Sequence, residues 1–214
     1  MDTRNSKMVD NKTSKTRLSR DQKKEAIFKA ATKAMTTQGL DGIHARVIAQ
    51  HAGVSVGTIY NLYGDLDTLI RQLNAKTYDA LFAVVDSALS KAVEAQKPPR
   101  YQLLDLAHAY LDFVEHHQRP WLAVLAFNRS QTEPPPKWYL EKEQILFHVI
   151  EKALNDFPKA RADQQLRHNH ARALWASVHG IVTIAVADGF LMQPIEAVWT
   201  QIQIIVNAVA QTLE

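Results

Sequence analysis

No cysteine occurs among the 214 residues. Its absence excludes a disulfide scaffold, a thiol nucleophile and any cysteine-ligated zinc or iron–sulfur centre, and it suits a reducing cytoplasm. Long apolar runs are lacking as well. The stretch 173–187 is uncharged but falls short of the ~20 residues a membrane helix needs, so no membrane partner is expected. No apolar segment follows the basic N-terminus, so no secretory signal is expected and the chain reads as cytoplasmic. Proline is missing before Pro98, and five of only seven glycines fall between Gly39 and Gly64. Strand alternation and internal repeats are also lacking. What is present is ordinary globular material, 46% apolar and 22% charged, in a chain long enough to bury about 70% of its unfolded surface without a staple.

Charge is distributed unevenly. Residues 1–24 hold eight cations against three anions, a net of +5, while the remainder carries 17 cations and 19 anions, a net of −2. A basic end on a mildly acidic molecule points to a polyanionic partner.

Glycine turns early and proline breaks later divide an all-α chain of about nine helices. The patterns place them at 21–38, 46–51, 55–62, 66–96, 101–117, 121–129, 136–155, 160–187 and 195–213. The expected organisation is a basic flexible arm at 1–19, a three-helix domain at 20–64 and a larger helical body at 65–214. Gly39 is expected to stop the first helix in the left-handed conformation.

The two short helices flanking Ala52-Gly53-Val54 have the form that major-groove reading requires. The groove is about 12 Å wide and admits one helix, so a first short helix must brace the second. Val47, Ile48, Ala52, Val54 and Ile59 can lock the pair, with Ser55 as N-cap and Val56, Thr58 and Asn61 facing outward. Gly57 permits close approach to a phosphate or a thymine methyl. An αα-hairpin used only for packing is the structural alternative.

These residues also resemble a family. The stretch 25–69, EAIFKAATKAMTTQGLDGIHARVIAQHAGVSVGTIYNLYGDLDTL, is similar to the DNA-binding domain of TetR-type transcriptional regulators. The resemblance rests on Ile48-Ala49, Ala52-Gly53-Val54-Ser55, Gly57-Thr58-Ile59-Tyr60 and Tyr63. It implies DNA contacts from Arg46, Ser55, Val56, Gly57, Thr58, Tyr60, Asn61 and Tyr63, with Lys23 and Lys24 at the basic entry. Asn61 can bind an adenine edge bidentately, worth roughly 1–3 kcal/mol of discrimination. His44 stands where Thr is usual, Leu66 where Lys is common and Asn61 where a cation is frequent. Arg17, Arg20, Lys23 and Lys24 are expected to supply the phosphate contact these positions lack.

The same resemblance implies a body that binds a small-molecule effector and forms a homodimer reading a palindromic operator, as a repressor released by ligand. Candidate ligand contacts are Tyr110, Phe113, Trp121, Phe127, Trp138, Phe147, Trp175 and His179, with Tyr139 and Phe190 as further aromatics and Asn128 and His148 as orienting groups. The run Arg172 to Gly180 resembles a tryptophan, histidine and glycine pattern of one subgroup. Val178, Ile181, Ala185, Val198, Ile202, Ile205 and Val209 are expected at the dimer interface, with Ala176, Gly180 and Ala187 allowing close helix approach. No cofactor or metal is expected, since His116-His117 and His168-Asn169-His170 lack helical ligand spacing. An enzyme using Asp65, Asp67, or Asp188 with His179 is disfavoured, because no nucleophile, phosphate loop or carboxylate pair is recognisable. A dimer with this fold but without specific DNA recognition is the remaining alternative.

Overall fold

A computed structural model describes residues 18–187 and 194–214. Phe190 and Asp188, like Arg17 and most of the basic arm, lie outside the described residues. Among those described, ten α-helices and one short 3-10 turn form the molecule. They are α1 (Arg20–Gln38), α2 (Ala45–Ala52), α3 (Val56–Tyr63), α4 (Leu66–Glu94), α5 (Pro99–His116), α6 (Gln118–Ser130), α7 (Lys137–Leu154), α8 (Pro158–Ala162), α9 (Gln164–Ala187) and α10 (Ile195–Leu213).

Local chemistry accounts for most boundaries. Ser19 opens α1 through a reciprocal capping box with Gln22, satisfying two orphan N–H donors. Gly39 has φ 69° but ψ −151°, so it is not the expected left-handed stop; the chain passes from it into the 3-10 turn Gly39–Gly42. Gly53, at φ 66° and ψ 32°, holds the left-handed turn between α2 and α3. Asp65 caps α4 by accepting the Thr68 N–H at 2.6 Å.

Two expectations change. The helix expected at 160–187 is two helices, because Asp163 is extended and accepts the Leu166 N–H at 3.0 Å. That cap ends α8 and opens α9. The helix expected to reach residue 96 ends at Glu94, where the Lys97 N–H turns back to the Ala92 carbonyl and Gln96 takes φ 52°.

The helices enclose two cores. Ile27, Ile48 and Ile59 are fully buried in the head, each contributing about 1.5–3 kcal/mol by leaving water. The head core does not end at residue 64. Leu69, Ile70 and Leu73 of α4 and Ala123 and Phe127 of α6 belong to it. The body core is built on α4, α5, α7, α9 and α10, and Trp121 and Val124 of α6 join it. Thus α4 and α6 each contribute side chains to both cores.

Candidate nucleic-acid interface

The helix expected to read DNA is α3. Ser55 accepts the Thr58 N–H at 3.2 Å, and its hydroxyl lies 2.9 Å from that of Thr58, so the two hydroxyls organise the helix start together. Ile59 and Tyr63 point into the head core, while Gly57, Tyr60, Asn61 and Gly64 are exposed at helical spacing on one face. Tyr60 is 45% exposed, a large aromatic held at the surface beside a free amide. Such a face can lay a ring on sugar or phosphate and an amide on a base edge.

Not every expected contact residue lies on that face. Val56 is half-buried against the head core. Tyr63 is buried, and its hydroxyl donates to the Lys24 carbonyl at 3.1 Å, while burial pushes its pKa upward. It is a core and positioning residue, because its ring faces α1 rather than solvent. That bond sets the basic entry of α1 beside the end of α3. Of the residues expected to lock α2 to α3, Ile48, Ala52 and Ile59 are buried, but Val47 is exposed.

Arg46 is exposed on α2, and Gln50, one turn further on, is exposed too. The 46/50 spacing makes Gln50 a candidate contact that motif reading missed. His44 precedes α2 without a side-chain cap. Among the described residues, Arg20, Lys23, Lys24 and Arg46 take part in no ion pair. Among the described residues their charge is therefore not neutralised by an ion pair.

In the body, an apolar cavity of about 40 Å³ is lined by residues of α4, α5, α7, α9 and α10. Of the expected ligand contacts, Tyr110 and Trp175 line it. Tyr110 Oη lies 2.8 Å from His179 Nδ1, and His179 stacks on Trp175 with ring centroids 4.9 Å apart. Burial, then the Arg129 charge, pulls the His179 pKa down, so its imidazole is neutral at pH 7. Trp121 stands behind, edge-on to Tyr110 at 5.8 Å.

Other aromatics serve elsewhere. Phe127 packs in the head core with the Arg71 guanidinium over its ring at 5.4 Å. Phe113 stacks on His117 at 4.4 Å, Phe147 is edge-on to Trp175 at 5.7 Å, and Trp138 is 41% exposed. His148 is exposed. Tyr139 donates to Asn128 Oδ1 at 2.9 Å and accepts from Asn74 Nδ2 at 3.2 Å, and Asn128 Nδ2 donates to Tyr78 Oη at 3.1 Å. This buried polar seam ties α4, α6 and α7 together. The aliphatic lining from α4, α5 and α7 carries no sequence signal that separates it from plain core.

Val178, Val198 and Ile202, expected at a dimer interface, are buried within the chain's own core, and Ile181, Ala185, Ile205 and Val209 pack partly against it. The outward apolar positions are others. Ile184 is 49% and Ile204 62% exposed, in line along their helices with Ala173, Ala176 and Gly180 on α9 and Ala208 on α10. A helix apolar nearly all round does not reveal in sequence which stripe its own chain covers. Among the described residues no group of three or more metal-ligating side chains clusters, and no helix is long and apolar enough to cross a membrane.

Residues 27–73 match the family described as bacterial regulatory proteins, tetR family, and residues 103–203 match the tetracyclin repressor-like C-terminal domain. No curated protein matches the chain. Solved structures do. A protein of unknown function from Rhodococcus sp. RHA1 is similar with a TM-score of 0.67 at 20% identity, over 94% of this chain and 98% of that one. A transcriptional regulator from the same organism has a TM-score of 0.64 at 21% identity, over 88% and 96%. The TetR-family transcriptional regulator PfmR from Thermus thermophilus has a TM-score of 0.60 at 15% identity, over 88% and 98%. These likenesses show the fold. With both halves of the architecture matched in order, the chain belongs to the TetR family, as a DNA-binding transcriptional regulator rather than an enzyme.

Proposed function

We propose that this regulator is a homodimeric repressor that binds a palindromic operator through paired α3 helices and leaves it when a small molecule occupies the body cavity. The observation that carries the DNA-reading part is the exposed α3 face of Gly57, Tyr60 and Asn61, in a head whose Arg20, Lys23, Lys24 and Arg46 form no ion pair among the described residues. One short helix reads only a few base pairs, so two copies related by a dyad are needed for a specific site. The exposed stripes around Ile184 and Ile204 support a two-fold interface of α9 and α10. Helices α4 and α6 support the coupling, because each packs in both cores. A shift of α6 in the body displaces Phe127 and Ala123 in the head. Arg119 of α6 also donates to the Thr37 carbonyl at the end of α1.

Selection of DNA from a random pool with the full-length protein tests this reading. The expected product is a palindrome whose half-sites lie about one helical turn apart or more. Effector and operator must weaken each other's binding by the same factor. Sequence-indifferent binding, or a monomer that binds as tightly as the dimer, would overturn the proposal.

A further inference from the structure

We infer that the body cavity takes an uncharged, mainly hydrocarbon molecule carrying one oxygen function, which rests on reading that cavity as the effector site. Among the described residues thirteen side chains line it, and none of these is charged, amide-bearing or aliphatic-hydroxylic. The only side-chain heteroatoms in that lining belong to Tyr110 and Trp175. An ionised ligand would meet no opposite charge there, and an unpaired buried ion is far costlier than a neutral polar group. Carboxylates, ammonium ions and phosphorylated molecules are therefore excluded from this lining.

The oxygen function follows from the aromatic end. Tyr110 is buried and its hydroxyl is held neutral, its pKa raised by burial. With the Tyr110 hydroxyl and His179 Nδ1 sharing one hydrogen bond, one polar valence remains at Tyr110 Oη, as acceptor or donor according to the imidazole tautomer. The Trp121 indole N–H is 99% buried by residue and lies beside Tyr110 Oη, yet has no partner in hydrogen-bonding geometry. Of these groups Tyr110 belongs to the cavity lining, whereas Trp121 and His179 stand behind it, so the valence left at the Tyr110 hydroxyl is the polar feature this lining offers an oxygen function. The cavity as it stands holds little more than a water or two. Five of the lining residues are leucines, so rotamer changes, not backbone opening, make room for a compact ligand.

Calorimetric titration of the full-length protein with four matched probes decides the matter: cyclohexanol, methylcyclohexane, cyclohexanecarboxylate and cyclohexylammonium. Cyclohexanol should bind tightest, and both ions about 100-fold more weakly or worse. Tyr110→Phe should lower cyclohexanol affinity about tenfold while leaving methylcyclohexane nearly unchanged. Ala107→Phe, which fills the cavity, should abolish binding of both. An ion that binds as well as the alcohol, an alcohol preference that survives Tyr110→Phe, or binding that survives Ala107→Phe would overturn the inference, as would failure of all four probes. Operator binding measured in parallel separates the two readings. Probes that fail on a protein still binding its selected palindrome sink this inference alone, whereas cyclohexanol binding without any specific DNA site sinks the proposed function alone.

Discussion

At Gly57 a methyl group would meet only Ser55 Oγ, 3.9 Å away, so the fold itself does not demand glycine there. Gly57→Ala should leave thermal stability unchanged or raise it by up to about 1 kcal/mol, and weaken operator binding if backbone approach is what the position supplies. A gel-shift titration beside a melting curve checks both halves. Tyr63 gives the converse pattern. Tyr63→Phe removes the hydroxyl bonded to Lys24 and should cost about 1 kcal/mol of stability. Its effect on DNA affinity should stay smaller than that of Tyr60→Ala, for which about 1–3 kcal/mol of binding loss is expected. A Tyr63 variant that lost affinity as strongly as Tyr60→Ala would return it to the reading face.

Helix ends carry predictions of their own. The Thr68 N–H, then the Thr68 hydroxyl, lower the pKa of Asp65. A carboxylate with a depressed folded pKa contributes stability that is full above its unfolded pKa, about 3.9, and is lost as pH falls through the lower folded value. Asp65→Ala should therefore cost about 1 kcal/mol at pH 7, and urea melts of variant and parent should converge as pH falls through the depressed folded pKa of Asp65. At the other end of α4, Gln96 holds φ 52°, a conformation that costs an L-residue about 1–2 kcal/mol. Gln96→Gly should stabilise the body, by less than about 1 kcal/mol once the freer unfolded chain is counted. A lowered melting temperature would show that the Gln96 side chain contributes something the backbone angle does not reveal.

On the scale of the whole molecule, the proposed dimer is tested by the separation between inward and outward stripes of α9 and α10. Ile204 is 62% exposed and Ile202 fully buried. Ile204→Asp should leave the monomer folded, shift sedimentation toward the single chain and reduce operator affinity together with it. Ile202→Asp should unfold the body, because it buries an unpaired charge. Equal effects from the two variants would mean that Ile204 is covered within its own chain. The same scale explains the head-to-body connection. The long helix α4 is evident in sequence, but the place of α6 in the head is not, because Ala123 and Phe127 read as one more stretch of apolar helix until they are seen in the head core.

Helix content, the turn at Gly53, the cap at Ser55 and the outward Asn61 could be read from the chain alone. Each depends on neighbours within a few residues, where backbone sterics, capping and helical periodicity act. The missed break at Asp163 was local too, and an aspartate before a helical run is its signal. Other assignments needed the packed molecule. Tyr63 and Phe127 look like contact aromatics in sequence, yet one ties α3 to α1 and the other fills the head from α6. Val178, Val198 and Ile202 differ from Ile184 and Ile204 only in the side of the helix that other elements cover. Most of the cavity wall is leucine and valine from five helices, and hydrophobicity alone carries no address. Which apolar side chain meets which partner is a property of long-range packing, and it came into being only when the helices closed on one another.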